Sequence, residues 1–263
     1  DECRVREALE KANARGLDAV LVAHSHHDHA MDSATVVALK GGSLVGSPST
    51  RNIAIGQGKG GIAIAPIEAG RRVAYGAFHV TAFRSPHSPT RLFRFPGDIP
   101  ENFDSPAWVW DYREGGSYSF LIEHRDGRVL VHPSANHRPA MYARVRADVV
   151  FLGIGQLEKQ RDDFVERYWC NVVRQTGADL VIPIHWDDFT RPLVEPLPAM
   201  PLLMGAVDEA MDRIPWLAQR DNVAMATFPL FKPVDVLGAA SRRSPARPAK
   251  VASPCGSVVA PSP

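Results

Sequence analysis

Cysteine is scarce in this chain of 263 residues: Cys3, Cys170 and Cys255 are the only three. So few, so widely scattered, they exclude a disulfide framework or a thiolate zinc cluster and read as ordinary thiols. Long apolar runs are missing as well, and none approaches the ~20 residues needed to cross a bilayer. No charged-then-apolar leader opens the chain, which begins at Asp1 rather than methionine. A soluble protein is expected, with the choice between cytoplasm and export after leader removal left open. An excess of charge of one sign is also absent. The 30 basic residues nearly balance 29 acidic ones, which removes the broad electrostatic argument for a nucleic-acid partner. There is no internal repeat, and no arrangement suggests a serine triad or a cysteine nucleophile.

What is present is enough apolar material, 45% of the residues, to bury a sizeable α/β core. Apolar spacing predicts a helix over 4–15, then a buried strand over Leu17–Ala23 that runs into a cluster of histidines. A short helix over Asp32–Leu39 and a strand over Ser43–Gly46 follow. Short β-like runs are expected at Gly61–Pro66, Arg71–Tyr75 and Ala77–Phe83. The proline-rich interval Ser85–Ser105 reads as a long loop, either functional or disordered. Asp126-Gly127 marks a hairpin between Ser117–His124 and Arg128–His132. Buried strands are expected at Ala147–Gly153 and Asp179–Ile184, helices at Asp162–Gln175 and Leu202–Leu217, and a last strand at Val223–Phe228. The principal domain is placed at 1–237. The Ala/Ser/Pro/Arg-rich stretch 238–263 reads as a disordered tail on composition.

The chemistry concentrates in His24-Ser25-His26-His27-Asp28-His29, five metal-competent side chains within six residues at a strand end. Imidazole and carboxylate suit zinc, iron or manganese, whereas calcium and magnesium prefer oxygen cages. His24 and His26 can point to one side of the turn while Asp28 and His29 bend toward a neighbouring position. Further ligands must come from distant strand ends, and His87 and His185 each follow one. The Gly56–Gly61 stretch superficially suggests a phosphate loop, but it lacks the Gly-Lys-Ser/Thr ending.

His24, His26, Asp28 and His29, followed in order by His87 and His185, resemble the metallo-β-lactamase superfamily of metallohydrolases across residues 17 to about 230. The Ser85-Pro86-His87-Ser88 segment is similar to the branch holding ascorbate-lactonase-like and phospholipase-like hydrolases. The resemblance implies an αββα sandwich with the site at one edge between the sheets. It gives His24, His26 and His87 to a first metal and Asp28, His29 and His185 to a second. A zinc pair is expected, with iron or manganese as alternatives. Two departures stand out. Ser134 occupies the place where many relatives carry a bridging aspartate, and only 23 residues precede His24 where relatives have several strands. The first sheet is therefore expected to be short of its amino-terminal strands.

The expected activity is hydrolysis of a small ester, lactone or phosphodiester by a metal-bound hydroxide, with Asp28 as ligand and orienter of the attacking water. The alternatives are a β-lactam hydrolase and a catalytically impaired, metal-binding member of the same fold; iron redox chemistry is a further one. A small-molecule substrate is expected and a nucleic-acid partner is not. Ser134 reads as a weak ligand, a hydrogen-bond partner behind the ligands or a packing residue, with preference for the second. Asp187 and Asp188 can orient the His185 imidazole or cap a turn. Trp108, Trp110 and Trp186 either border a substrate cleft or pack in the core. Arg84, Arg91 and Arg94 suit an anionic substrate or are solvated loop charges. His27 reads as lying behind the ligands or on the surface, and His79, His124, His132 and His137 as structural.

Overall fold

A computed structural model of the chain describes residues 1–90, 95–201, 206–241 and 255. Its contacts divide into two units, 1–84 with 90–118 and 231–233, and 85–89 with 119–230 and 234 onward. In the first unit, helix α1 (Glu2–Lys11) is capped by Asp1, whose carboxylate accepts from the Cys3 amide at 2.9 Å. The helix stops short of residue 15 because Asn13 takes a left-handed conformation, φ 53°. Strands β1 (Ala19–Leu21), β2 (Ser43–Gly46) and β3 (Ile64–Pro66) pair in parallel, with Ala19 opposite Ser43 and Leu44 opposite Ile64.

The single-turn helix α2 (His27–Ala30) and helix α3 (Ser33–Lys40) fill the connection from β1 to β2. Helix α4 (Pro48–Gly56) was not expected from the apolar pattern. Its start is written in cap chemistry: Ser47 accepts from the Thr50 amide, and Pro48 occupies the first turn. These helices bury Ala30, Ala34, Val37, Ile53 and Ala54 against Val22, Leu44, Ile99, Phe103 and Tyr112. Leu44 and Ile53 are almost wholly excluded from water, each contributing about 1.5–3 kcal/mol relative to exposure. An antiparallel pair, β4 (Arg72–Tyr75) and β5 (Phe78–Arg84), follows in this unit, and later a 3-10 turn at Val109–Asp111.

The second unit carries the hairpin β6 (Tyr118–His124) and β7 (Gly127–His132) at the expected place. Strands β8 (Val149–Gly153), β9 (Leu180–Ile184) and β10 (Ala224–Met225) continue from β7 in parallel. Val149, Val150, Leu152 and Val181 have no exposure, the signature of parallel strands covered on both faces. Helix α5 (Asp162–Trp169) runs on into a π-helical turn, Cys170–Arg174, so the single helix expected over 162–175 changes its hydrogen-bond period midway. Helix α6 (Val207–Arg220) begins later than expected, residues 202–205 lying outside the described residues.

Two expectations are corrected. Cys170 and Cys255 are not ordinary thiols but form a disulfide across 85 residues, and only Cys3 is free. Pairing depends on distance in space, which the spacing of three cysteines does not report. The tail boundary also moves: Gly238–Ser241 belong to helix α7 (Val236–Ser241), with Ala240 buried against Val149, Leu180 and Ile182. The remainder of the expected tail, apart from Cys255, lies outside the described residues.

Candidate metal centre

The amino-terminal cluster is built by a strand end and one helical turn. β1 runs into Val22, whose amide donates to Val45, and the Ala23 carbonyl accepts from Tyr118. The Ser25 amide donates to the Glu114 carbonyl at 2.8 Å, and Ser25 Oγ lies 3.1 Å from Ser47 Oγ. Ser25 is thus pinned inward from both ends, and His24 and His26 on either side of it are buried. The His26 carbonyl accepts from His29 and Ala30, turning the chain so that His29 comes back over His24. The His24 and His29 ring centres are 3.9 Å apart, and those of His24 and His26 4.8 Å. Asp28 Oδ2 lies 3.2 Å from His29 Nε2. His27 leans outward, 3.8 Å from Asp28 Oδ1, and is not part of the cluster.

The environment favours a neutral imidazole at His26. Burial pulls His26 below the ordinary histidine range, outweighing the nearby Asp28 carboxylate and a hydrogen bond to the Phe95 backbone. Phe95 also packs edge-on against the His26 ring at 6.2 Å. Neutral nitrogen is the form a metal ion needs.

His87 sits in the irregular Ser85–Pro89 segment, and its Nδ1 donates to the Ser88 carbonyl at 3.1 Å. His185 follows β9 with φ 61°, a left-handed conformation uncommon outside glycine. Its ring lies over Gly155, where a Cβ would come within 2.5 Å of His185 Nδ1. Gly155 therefore has to be glycine for His185 to lie where it does, a requirement not foreseen in the sequence. His185 also packs edge-on against Phe189 at 5.8 Å.

Within the first unit, the described residues His24, His26, Asp28 and His29 bring three imidazoles and a carboxylate together, while His87 and His185 belong to the second unit. Imidazoles with a carboxylate fit a borderline-soft transition metal such as zinc or iron and do not fit calcium or magnesium.

The neighbouring residues sort differently from one another. Ser134 is buried past the end of β7, and its carbonyl accepts from the Asn136 amide at 2.7 Å. Asp188 caps a turn: Oδ1 accepts from the Thr190 amide and hydroxyl, and Oδ2 lies 3.2 Å from Arg191 Nε. Asp187 forms an isolated bridge to Ala199, and the half-buried Trp186 accepts a backbone bond from Met200. Trp108 and Trp110 are not core residues; they are 69% and 52% exposed and stack on each other at 5.1 Å. The Arg84 guanidinium lies over the Tyr118 ring at 5.4 Å, while Arg91 and Arg94 lie outside the described residues. His132 is structural as expected, fully buried between Tyr142 and Tyr168. His124 pairs with Asp126 at 3.0 Å.

A family model described as a beta-lactamase superfamily domain matches residues 3–186. No curated protein matches the chain. Among solved structures, the metallo-beta-lactamase fold protein YhfI from Bacillus subtilis is similar with a TM-score of 0.52 at 15% identity, covering 86% of this chain and 80% of that one. Unliganded yeast PDE1 gives 0.50 at 11% identity, covering 82% and 68%. CmlA, a diiron beta-hydroxylase from Streptomyces venezuelae, gives 0.50 at 14% over 82% of this chain, which spans only 44% of that protein. At such identities the likeness is one of fold.

Proposed function

The chain belongs to the beta-lactamase superfamily and has the metallo-β-lactamase fold, and from that premise we propose that it is a hydrolase dependent on a pair of zinc ions. By the family resemblance, one ion is assigned to His24, His26 and His87 and the other to Asp28, His29 and His185. The observation that carries the reading is the cluster at 24–29, where buried His24 and His26 and the His29–Asp28 pair crowd around one strand end.

When bound, such ions supply a Lewis acid and lower the pKa of a coordinated water to about 7. The protein's part is to orient. The Asp28 carboxylate accepts only, so with one oxygen near His29 it can take the hydrogen bond of the attacking water on the other and aim it at the substrate. His29 and Asp28 act as a pair, and Ser25 holds the loop that presents them. Phe95, packed on His26, keeps bulk water from that ring. The proposed substrate is a small ester, lactone or phosphodiester; support comes from the Ser85-Pro86-His87-Ser88 context.

Metal analysis of the purified chain, with a panel of p-nitrophenyl acetate, an aryl lactone, bis(p-nitrophenyl) phosphate and a chromogenic cephalosporin, tests this reading. Two equivalents of zinc are expected, with ester, lactone or phosphodiester turnover abolished by a chelator and restored by zinc. Rapid cephalosporin cleavage would overturn the substrate assignment. Zinc without turnover of any ester would mean a metal-binding member that has lost catalysis, and iron with visible absorption would move the reading to oxidation chemistry.

A further inference from the structure

Behind His87 runs a directed series of hydrogen bonds that the hydrolytic reading does not use. It starts at Ser119, Tyr142 and His132, all without exposure. His132 Nε2 lies 2.7 Å from the Asn136 backbone oxygen. A carbonyl only accepts, so Nε2 carries the hydrogen and Nδ1 the lone pair. The Tyr142 hydroxyl, 2.8 Å from Nδ1, therefore donates to it. The same hydroxyl oxygen accepts from Ser119 Oγ. Each donor from Ser119 onward points toward Asn136.

Asn136, anchored through its main chain, turns its side chain to the segment that carries His87. Its Oδ1 accepts from the His137 amide at 2.8 Å, which identifies the other terminal atom as nitrogen. That nitrogen donates to the His87 carbonyl at 2.6 Å. One residue earlier, the Ala135 amide donates to Ser88 Oγ at 2.8 Å. The His87 ring closes the arrangement by donating from Nδ1 to the Ser88 carbonyl, which places its lone pair on Nε2. Ser85–Pro89 has no helix or strand of its own, so these bonds hold the segment where a ladder would otherwise do so.

We propose that Asn136 is a positioning residue for His87, fixing the backbone, tautomer and direction of that imidazole so that Nε2 is presented to a metal ion. The inference rests on reading His87 as a ligand. Partners of this kind change metal affinity by about 10–100-fold when they are removed. Neither the spacing of the histidines nor their residue types reports such a role, because Asn136 reaches His87 across 49 positions of sequence.

The test uses the full chain stripped of metal and titrated with zinc in competition with a chromophoric chelator. Asn136→Asp is nearly isosteric; it keeps the acceptor for His137 and replaces the donor to His87 with a second acceptor. Asn136→Ala serves if the aspartate variant fails to fold. Binding of one zinc should weaken by about 10–100-fold while the other is unchanged. Imidazole 15N spectra of the metal-free protein should show His87 as a single Nδ1–H tautomer in the parent and a tautomer mixture in the variant. His87→Ala should lose one equivalent outright, and its retention of both would sink the ligand reading itself. Loss in His87→Ala with parental affinity and tautomer in both Asn136 variants would overturn the positioning role. So would equal weakening of both ions alongside a lower melting temperature of the metal-free variant.

Discussion

The histidines at 24–29 and the histidines at 87 and 185 are built by opposite means. The first set is local. A strand end and a single turn of α2 gather His24, His26, Asp28 and His29, and the backbone bonds from His29 and Ala30 to His26 suffice to fold them together. His87 and His185 stand alone in sequence, and each depends on residues far away: Asn136 and Ala135 for the first, Gly155 for the second. A locally encoded cluster loses function when a ligand is changed. A remotely supported ligand also loses it when residues that touch no metal are changed.

The hardest blow to the local side is His26→Ala, expected to remove bound zinc and cut hydrolysis at least ~1,000-fold, about 4 kcal/mol in the barrier. Metal analysis and bis(p-nitrophenyl) phosphate assay check it together, and full zinc occupancy with normal turnover would refute the ligand assignment. On the remote side, Cys255→Ser opens the loop closed by the disulfide across 85 residues. The chain-entropy argument puts the loss at about 4–5 kcal/mol, read as a lower urea midpoint that matches the parent in reductant.

A smaller effect follows pH. His132 titrates at 6.5 when unfolded, and burial lowers it to about 4 in the folded protein. Tyr142, Tyr168 and His137 surround it and supply no carboxylate to offset that burial. The unfolded state thus binds more protons between these values, so the stabilisation is complete above about pH 6.5 and is lost as pH falls toward 4. At about 1.4 kcal/mol per unit the loss is about 3 kcal/mol. Urea midpoints measured from pH 4 to 7 should slope accordingly, and His132→Gln should flatten that slope.

Gly155→Ala sets a Cβ against the His185 ring and should weaken one zinc by about tenfold, seen in chelator competition, while 24–29 keeps its own geometry. Trp108→Ala marks the lower limit: an exposed, stacked ring should shift stability by no more than about 0.5 kcal/mol in a thermal melt.

The same contrast explains what could be read in advance. The hairpin β6–β7 is visible because Asp126-Gly127 and flanking alternation are neighbours in the chain. β8 and β9 are visible as unbroken apolar runs. Helix α4 was missed because Ser-Pro-Ser-Thr reads as a turn on composition, although Ser47 and Pro48 are sound helix-start signals. The histidine cluster is legible at once, being six residues long. The disulfide, the Gly155 requirement and the Asn136 bond were not, because each is a meeting of residues whose separation carries no periodic trace.

The Cys170–Cys255 bond has a practical corollary for anyone trimming this protein. The sequence offers trypsin sites after Arg242, Arg243 and Lys250, and after cleavage at any of them the peptide bearing Cys255 would stay fastened to Cys170. A nicked sample would keep its full mass on a non-reducing gel and shed a small carboxyl-terminal fragment only once a thiol reagent is added.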